Sequence, residues 1–180
     1  EAVGYDLYCK MLSEAVQEAK GMKRQEDFET SVDLVMDAFI PPSYIPNEGQ
    51  KLDVYKRIAG IENRDEAEDM LEELMDRFGE PPRSVQNLLA VAELKALSHR
   101  AYVTEIKQTG QEIRITLYEK ARLNAQGIPE LLEQYGRSLK FKLETNPYFL
   151  YLPGPPRKKR ETVLDQVRGF VEDLRKYVEE

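Results

Sequence analysis

From Asn63 to Pro82 the chain reads NRDEAEDMLEELMDRFGEPP, and this stretch predicts one helix with two opposed faces. Asn63 with Glu66 resembles a capping box at the start of that helix, and Gly79 followed by two prolines predicts its end. Apolar side chains recur at the three- and four-residue spacing that lines a buried helix face; they are Ala67, Met70, Leu71, Leu74, Met75 and Phe78.

The other face of the predicted helix is acidic. Residues 63–78 contain seven acids and two arginines, so they supply five of the chain's seven net negative charges. Like charges four residues apart destabilise a helix by roughly 0.2–0.5 kcal/mol, so the pattern works against its own helix. The aligned carboxylates are Asp69, Glu72, Glu73 and Asp76. They form either an ordinary solvated face, with intramolecular partners among Lys51, Lys56 and Arg57, or a docking face for arginines of a partner.

Composition places the chain among globular proteins of one or two small domains, because 41% of its 180 residues are apolar and 33% are charged. A net charge of −7 argues against a dedicated duplex-binding module. Cys9 and His99 are the single residues of their types, which leaves little for a disulfide framework, a metal site or a catalytic triad. We therefore predict no metal site and a cytoplasmic location, and because no run approaches about 20 apolar residues we also predict no membrane span.

Motifs for nucleotide cradling and zinc hydrolysis, G-x-x-x-x-G-K-[ST], G-x-G-x-x-G and H-E-x-x-H, do not occur in the sequence. We predict no catalytic residue and no cofactor in this segment. One basic run, Arg157-Lys158-Lys159-Arg160, follows a Pro/Gly-rich turn and could contact phosphates. It lacks interleaved aromatic residues, so a solvated loop is the alternative interpretation.

The remaining patterns predict an α+β fold, a small mixed sheet of hairpin strands packed with several helices and preceded by a connector helix. Residues 1–30 are predicted as a connector helix and linker from an upstream part of a longer protein, and residues 31–180 as the domain itself. The predicted elements are a strand over 32–36, a helix with Leu52, Tyr55, Ile58 and Ala59 on its apolar face, a helix over 82–98, a hairpin around Thr109-Gly110, a helix over 128–135, a hairpin around 145–147 and a final helix whose apolar face extends from Val163 to Val178.

Three strings in this order, GYDLYCKML from Gly4, SYIPNEGQKLDVYKRIA from Ser43 and ELMDRFGEPP from Glu73, resemble the C-terminal domain of the bacterial transcription-repair coupling factor. The resemblance is densest over residues 1–95. Beyond about residue 100 only the order of elements is similar.

The resemblance implies a regulatory role within an ATP-driven duplex-DNA translocase of the helicase superfamily 2 type. Such a protein acts on stalled RNA polymerase and recruits excision repair, and its ATP- and Mg-binding motor would lie upstream of this segment. In that family the C-terminal domain folds back on an N-terminal module resembling UvrB, covers the UvrA-binding surface and represses the motor. Carried over through the ELMDRFG string, Glu73 and Asp76 fall where the family contacts arginines of that module, and Asp69 and Glu72 extend the same stripe. The alternatives are a nucleic-acid-contacting wedge that uses residues 157–160, or a purely structural cap.

Overall fold

The computed structural model describes residues 28–179, so the predicted connector helix over 4–20 and Cys9 lie outside the described residues. The described chain forms two compact units. The first contains residues 36–96, and the second combines residues 28–35 with residues from Leu97 onward.

The first unit is built from helices. They are α1 (Glu48–Ala59), α2 (Arg64–Phe78) and α3 (Arg83–Arg100), of which the last four residues belong to the second unit. Each helix buries an apolar stripe, and Val54, Ile58 and Leu74 are completely inaccessible to solvent. The stripe spacing predicted from the sequence therefore corresponds to the core of this unit.

The loop before α1 is an ordered corner of this unit. Ile45 is completely buried, and the neighbouring Tyr44 hydroxyl donates to the carbonyl oxygens of Leu74 (3.2 Å) and Gly79 (2.8 Å). Leu74 lies near the C-terminal end of α2, and Gly79 is the residue that caps it. The corner thus ties down the C-terminal end of α2.

The second unit contains a mixed sheet of five strands, β1 (Ser31–Asp33), β2 (Val103–Thr109), β3 (Glu112–Leu117), β5 (Leu139–Lys142) and β6 (Tyr148–Tyr151). Their order in the sheet is β1-β2-β3-β6-β5. Both predicted hairpins are present, and β3 pairs antiparallel with β6 to join them into one sheet. β1 runs parallel to β2 at one edge. The predicted α+β class is confirmed.

Helices α4 (Gly127–Tyr135) and α5 (Val163–Arg175) complete this unit. Thr162 caps α5 in a full capping box with Asp165, so the helix begins where the sequence predicts. Phe170 of α5 packs its ring against Phe149 and Tyr151 of β6, at centroid distances of 5.3 and 5.5 Å. A second, two-stranded sheet pairs β4 (Arg122–Leu123) with β7 (Val178–Glu179).

Two sequence predictions about element limits and one about a buried helix face are wrong. The strand expected over 32–36 stops at Asp33, because the Val35 amide is bonded by the Gln108 side chain (2.9 Å) instead of a neighbouring strand. α1 buries Val54 and leaves Leu52 40% exposed. Val178 lies in β7 and not on the last helix.

Candidate functional site

Helix α2 carries the candidate site, and its two ends fix the direction in which its acids point. The Asn63 side chain accepts a hydrogen bond from the Glu66 amide (2.9 Å), and Gly79 ends the helix with φ of 85°, a conformation that favours glycine. The Glu66 carboxylate bonds the Glu62 amide (2.8 Å) and not that of Asn63, so the predicted capping box is only half formed. Because Ala67, Met70 and Leu74 are buried, the acids between them face outward.

Three of the four predicted docking residues form one exposed row on α2. Asp69, Glu72 and Asp76 are all exposed, and Asp65, four residues before Asp69, extends the row by one turn. Asp65 is missing from the predicted stripe, although its spacing of four residues from Asp69 could have placed it there. We call these four residues the acidic row. Within residues 28–179, no cation lies within ion-pair distance of any of them.

Glu73, the fourth predicted docking residue, has a different environment. Its carboxylate accepts hydrogen bonds from the guanidinium groups of Arg57 on α1 and Arg77 on α2, the latter at 3.5 Å. The hydrogen bond from Arg57 is the main reason why the pKa of Glu73 is lowered. Of the cations predicted as intramolecular partners of the stripe, Arg57 therefore pairs with one of its carboxylates, that of Glu73. Lys51 instead pairs with Glu48 within α1.

Apolar side chains border the acidic row. Met75, three residues after Glu72, is 49% exposed although its spacing predicted burial. The guanidinium of Arg77 lies over the Phe78 ring at 4.9 Å, and the Tyr44 ring is 5.9 Å from the same ring. Met75 therefore leaves an exposed thioether one turn from Glu72.

The basic run Arg157–Arg160 forms an exposed turn just before α5. The Arg157 amide donates to the Glu161 carboxylate (2.7 Å), and the Glu161 amide donates to the Lys158 carbonyl (3.1 Å). Its four side chains have no ion-pair partner in the part of the chain that the structure describes. The turn has a defined backbone, but it contains no aromatic residue that could stack on a base.

The single histidine contacts neighbouring side chains of the second unit. His99 Nδ1 is 3.2 Å from the Thr30 hydroxyl, and its ring lies 4.5 Å from that of Phe28. No group of three or more His, Cys, Asp or Glu residues among the described ones is arranged to hold a metal ion. None of the helices over residues 28–179 is long and apolar enough to cross a bilayer.

Comparison with known proteins assigns the family. The model of the TRCF domain matches residues 34–128, more than half of the chain. The chain belongs to the TRCF domain family. It is similar to a solved structure described as the C-terminal domain of transcription-repair coupling factor, with a TM-score of 0.67 and 27% identity over 82% of this chain and 92% of that one.

Curated relatives agree with this family assignment. The chain is 36% identical over 178 residues to the transcription-repair-coupling factor of Bacillus subtilis, and 38% identical over 175 residues to that of Staphylococcus aureus strain USA300. These matches include 97% and 95% of this chain but only 15% of each relative. The chain therefore corresponds to a small part of the length of the factors it matches.

Proposed function

We propose that this chain is a non-catalytic regulatory domain of a transcription-repair coupling factor and that its acidic row docks on an N-terminal UvrB-like module of the same longer protein. Docking would mask the surface that binds UvrA and repress ATP-driven translocation on duplex DNA, with ATP and Mg bound in a separate motor of that protein. RNA polymerase and UvrA would be indirect partners, the domain itself would be a monomer, and the factor would act in the bacterial cytoplasm.

The observation that carries the proposal is the row of exposed carboxylates without cations. Asp69, Glu72 and Asp76 repel one another along one helix face, and no described residue neutralises them. A partner that presented arginines would remove this repulsion and form charge-assisted hydrogen bonds. Within one chain the effective concentration of the partner is high, so a polar, exposed contact can hold and still be released when another state is favoured.

The contacts of each carboxylate decide which residues can test the acidic row. Substituting Glu73 would break its ion pairs with Arg57 and Arg77, and the outcome would mix docking with the contact between α1 and α2. Asp69 and Asp76 make no such contact in the described chain. The double variant Asp69→Lys/Asp76→Lys therefore tests the acidic row itself.

We expect Asp69→Lys/Asp76→Lys to raise the basal ATPase rate of the full-length factor in the absence of RNA polymerase, with unchanged thermal unfolding of the 180-residue chain. The matched control is Glu119→Lys/Glu133→Lys, which makes the same charge change at two exposed acids of the second unit. This control should leave the basal rate unchanged. Equal rates for wild type and the Asp69/Asp76 variant would return the row to an ordinary solvated face.

Two alternatives from other classes make different predictions. A wedge that contacts nucleic acid through Arg157–Arg160 would lose DNA affinity in Lys158→Glu/Lys159→Glu while the basal ATPase rate stayed low. A purely structural cap would leave the factor inactive, not hyperactive, when residues 31–180 are deleted. The absence of stacking residues in the basic turn favours the docking proposal over the wedge.

A further inference from the structure

The outward face of the five-stranded sheet carries a group of cations that no sequence motif revealed. Register places Arg114 of β3 between Lys107 of β2 and Leu150 of β6, and Lys140 of β5 opposite Leu150 on the other side. One row across four strands therefore reads Lys107, Arg114, Leu150, Lys140. In the next row Tyr148 of β6 pairs with Lys142 of β5.

These residues point away from the core. Side chains alternate between the two faces of a strand, and the intervening residues Ile113, Ile115 and Phe149 are completely buried. The four cations are exposed, and Tyr148 and Leu150 between them are partly exposed. We call Arg114, Lys140, Lys142, Tyr148 and Leu150, with Lys107 at the border, the basic sheet face.

None of the four cations has a carboxylate within ion-pair distance among residues 28–179. Three acids share this side of the sheet, and they lie at its margins. Asp33 is on the edge strand β1, Glu105 is on β2 opposite β1, and Glu112 is at the start of β3. The surface from Arg114 to β5 contains no acid on its strands. The Arg114 guanidinium lies over the Tyr148 ring, 4.5 Å from its centroid.

Protection of a sheet edge explains only part of this pattern. Lysines on an edge strand discourage pairing with other chains, and Lys140 and Lys142 on β5 suit that role. Arg114, however, lies on β3, the central strand of the sheet, where there is no edge to protect. Its guanidinium also lies over the Tyr148 ring, a contact that edge protection does not require.

We propose that the basic sheet face binds single-stranded nucleic acid, with phosphates on Lys107, Lys140 and Lys142 and a base stacked on the Arg114–Tyr148 pair. Cations that follow a backbone, combined with a planar stacking group, are the chemistry by which proteins hold single strands without reading their sequence. This site is independent of the acidic row, and neither proposal requires the other.

The charge distribution makes the second unit, and not the first, the better candidate for binding a polyanion. Residues 36–96 contain 13 acids and seven lysines and arginines, whereas residues 28–35 and 97–180 contain 14 acids and 15 lysines and arginines. The acidic balance of the whole chain, which argued against a dedicated duplex-binding module, therefore does not apply to the unit that carries the sheet. An acidic protein would satisfy the cations but would make no use of the Arg114–Tyr148 pair.

The test is fluorescence anisotropy of the 180-residue chain with a labelled 20-nucleotide single strand, as DNA and as RNA of the same sequence. Binding should weaken as salt rises, with a logarithmic slope of about −0.7 for each neutralised phosphate. Arg114→Glu/Lys140→Glu should weaken binding at least tenfold, and Tyr148→Ala should weaken it severalfold without any change in charge. Lys140→Gln/Lys142→Gln provides a milder variant on the edge strand if the first fails to fold.

Two controls separate this face from general electrostatics. Lys120→Glu/Arg137→Glu makes the same charge change at exposed positions outside the face, and Lys158→Glu/Lys159→Glu makes it in the basic turn. Both should bind within about twofold of wild type. The proposal would be overturned if wild type showed no salt-dependent binding, if the basic-turn variant alone lost it, if duplex DNA bound as tightly as the single strand, or if polyglutamate bound as well and Tyr148→Ala had no effect.

Discussion

At the scale of single residues, the Arg57–Glu73 ion pair determines how much of the acidic stripe is available to a partner. Both side chains are partly exposed, at 43% and 34%. Solvent screens such a pair, so its contribution to the free energy of unfolding is at most about 1 kcal/mol. The ion pair has a larger effect on which carboxylates are available to a partner. A partner arginine must compete with Arg57 and Arg77 for Glu73, but it meets no such competition at Asp69 or Asp76.

Arg57→Gln should therefore strengthen docking on the UvrB-like module while slightly reducing stability. We expect affinity to rise by about two- to fivefold, which corresponds to about 0.5–1 kcal/mol of removed competition. Titration of the separately produced module with the 180-residue chain measures this change. Lys56→Gln, which removes a neighbouring exposed cation of α1, is the matched control and should not alter affinity. Weaker docking in Arg57→Gln would contradict the competition.

The stability difference between wild type and Arg57→Gln should depend on pH. Arg57 lowers the pKa of Glu73 in the folded chain, so the pair stabilises above the ordinary glutamate pKa of about 4.3, and this stabilisation is lost as pH falls through the lowered folded value. The difference in unfolding free energy between wild type and Arg57→Gln should be present at pH 7 and disappear once the pH has fallen below the lowered folded pKa of Glu73. Urea unfolding at several pH values measures it, and a difference that persisted in acid would exclude the ion pair as its source.

At the scale of elements, the acidic row depends on how α2 ends. The Tyr44 hydroxyl serves two carbonyls at that end, and burial raises its pKa, so it remains a donor at all ordinary pH values. Asp76 lies in this last turn, where the negative end of the helix dipole disfavours an anion. The corner before α1 thus supports the turn in which the helix itself is weakest.

Tyr44→Phe should lower the free energy of unfolding by about 1–2 kcal/mol, because it leaves the carbonyls of Leu74 and Gly79 without this donor. Urea denaturation of the 180-residue chain measures the loss. Tyr118→Phe is the control: the Tyr118 ring stacks on Phe28 at 4.6 Å, no hydrogen bond of its hydroxyl is found among residues 28–179, and its substitution should change stability by less than about 0.5 kcal/mol. Equal effects of the two substitutions would mean that the Tyr44 hydroxyl does not hold the end of α2.

The elements that sequence predicted well are those whose signals are local. Apolar periodicity with Asn63 and Gly79 identified α2, and the turn at Gly110, with φ of 63°, identified the first hairpin. Pairing between distant strands has no local signal, so neither the parallel β1–β2 contact nor the β3–β6 contact could be predicted.

The basic sheet face follows from the β3–β6 register, and its cations lie scattered over 36 positions of the sequence. Likewise, spacing aligned Glu73 with Asp76, but only the packing of α1 shows that Arg57 reaches one of them and not the other.

At the scale of the whole molecule, the two proposed surfaces carry opposite charge and lie in different units of the chain. The acidic row belongs to residues 36–96, and the basic sheet face belongs to the second unit. Opposite charges suit different partners, so occupation of one surface need not exclude occupation of the other. Substitutions in the acidic row should therefore leave oligonucleotide affinity unchanged, apart from general electrostatic effects that the charge-matched controls measure.

Deletions in the longer factor can identify the partner of the acidic row. Deleting residues 31–180 should raise basal ATPase activity and duplex translocation, because the deletion removes the proposed repressing contact. If the row acts by docking on the N-terminal module, then in a factor that lacks that module Asp69→Lys/Asp76→Lys should have no further effect, since both changes break the same contact. Additive increases would mean that the row acts on another part of the protein. An inactive deletion would instead favour the structural cap, because a domain that only represses a motor cannot be needed for its activity.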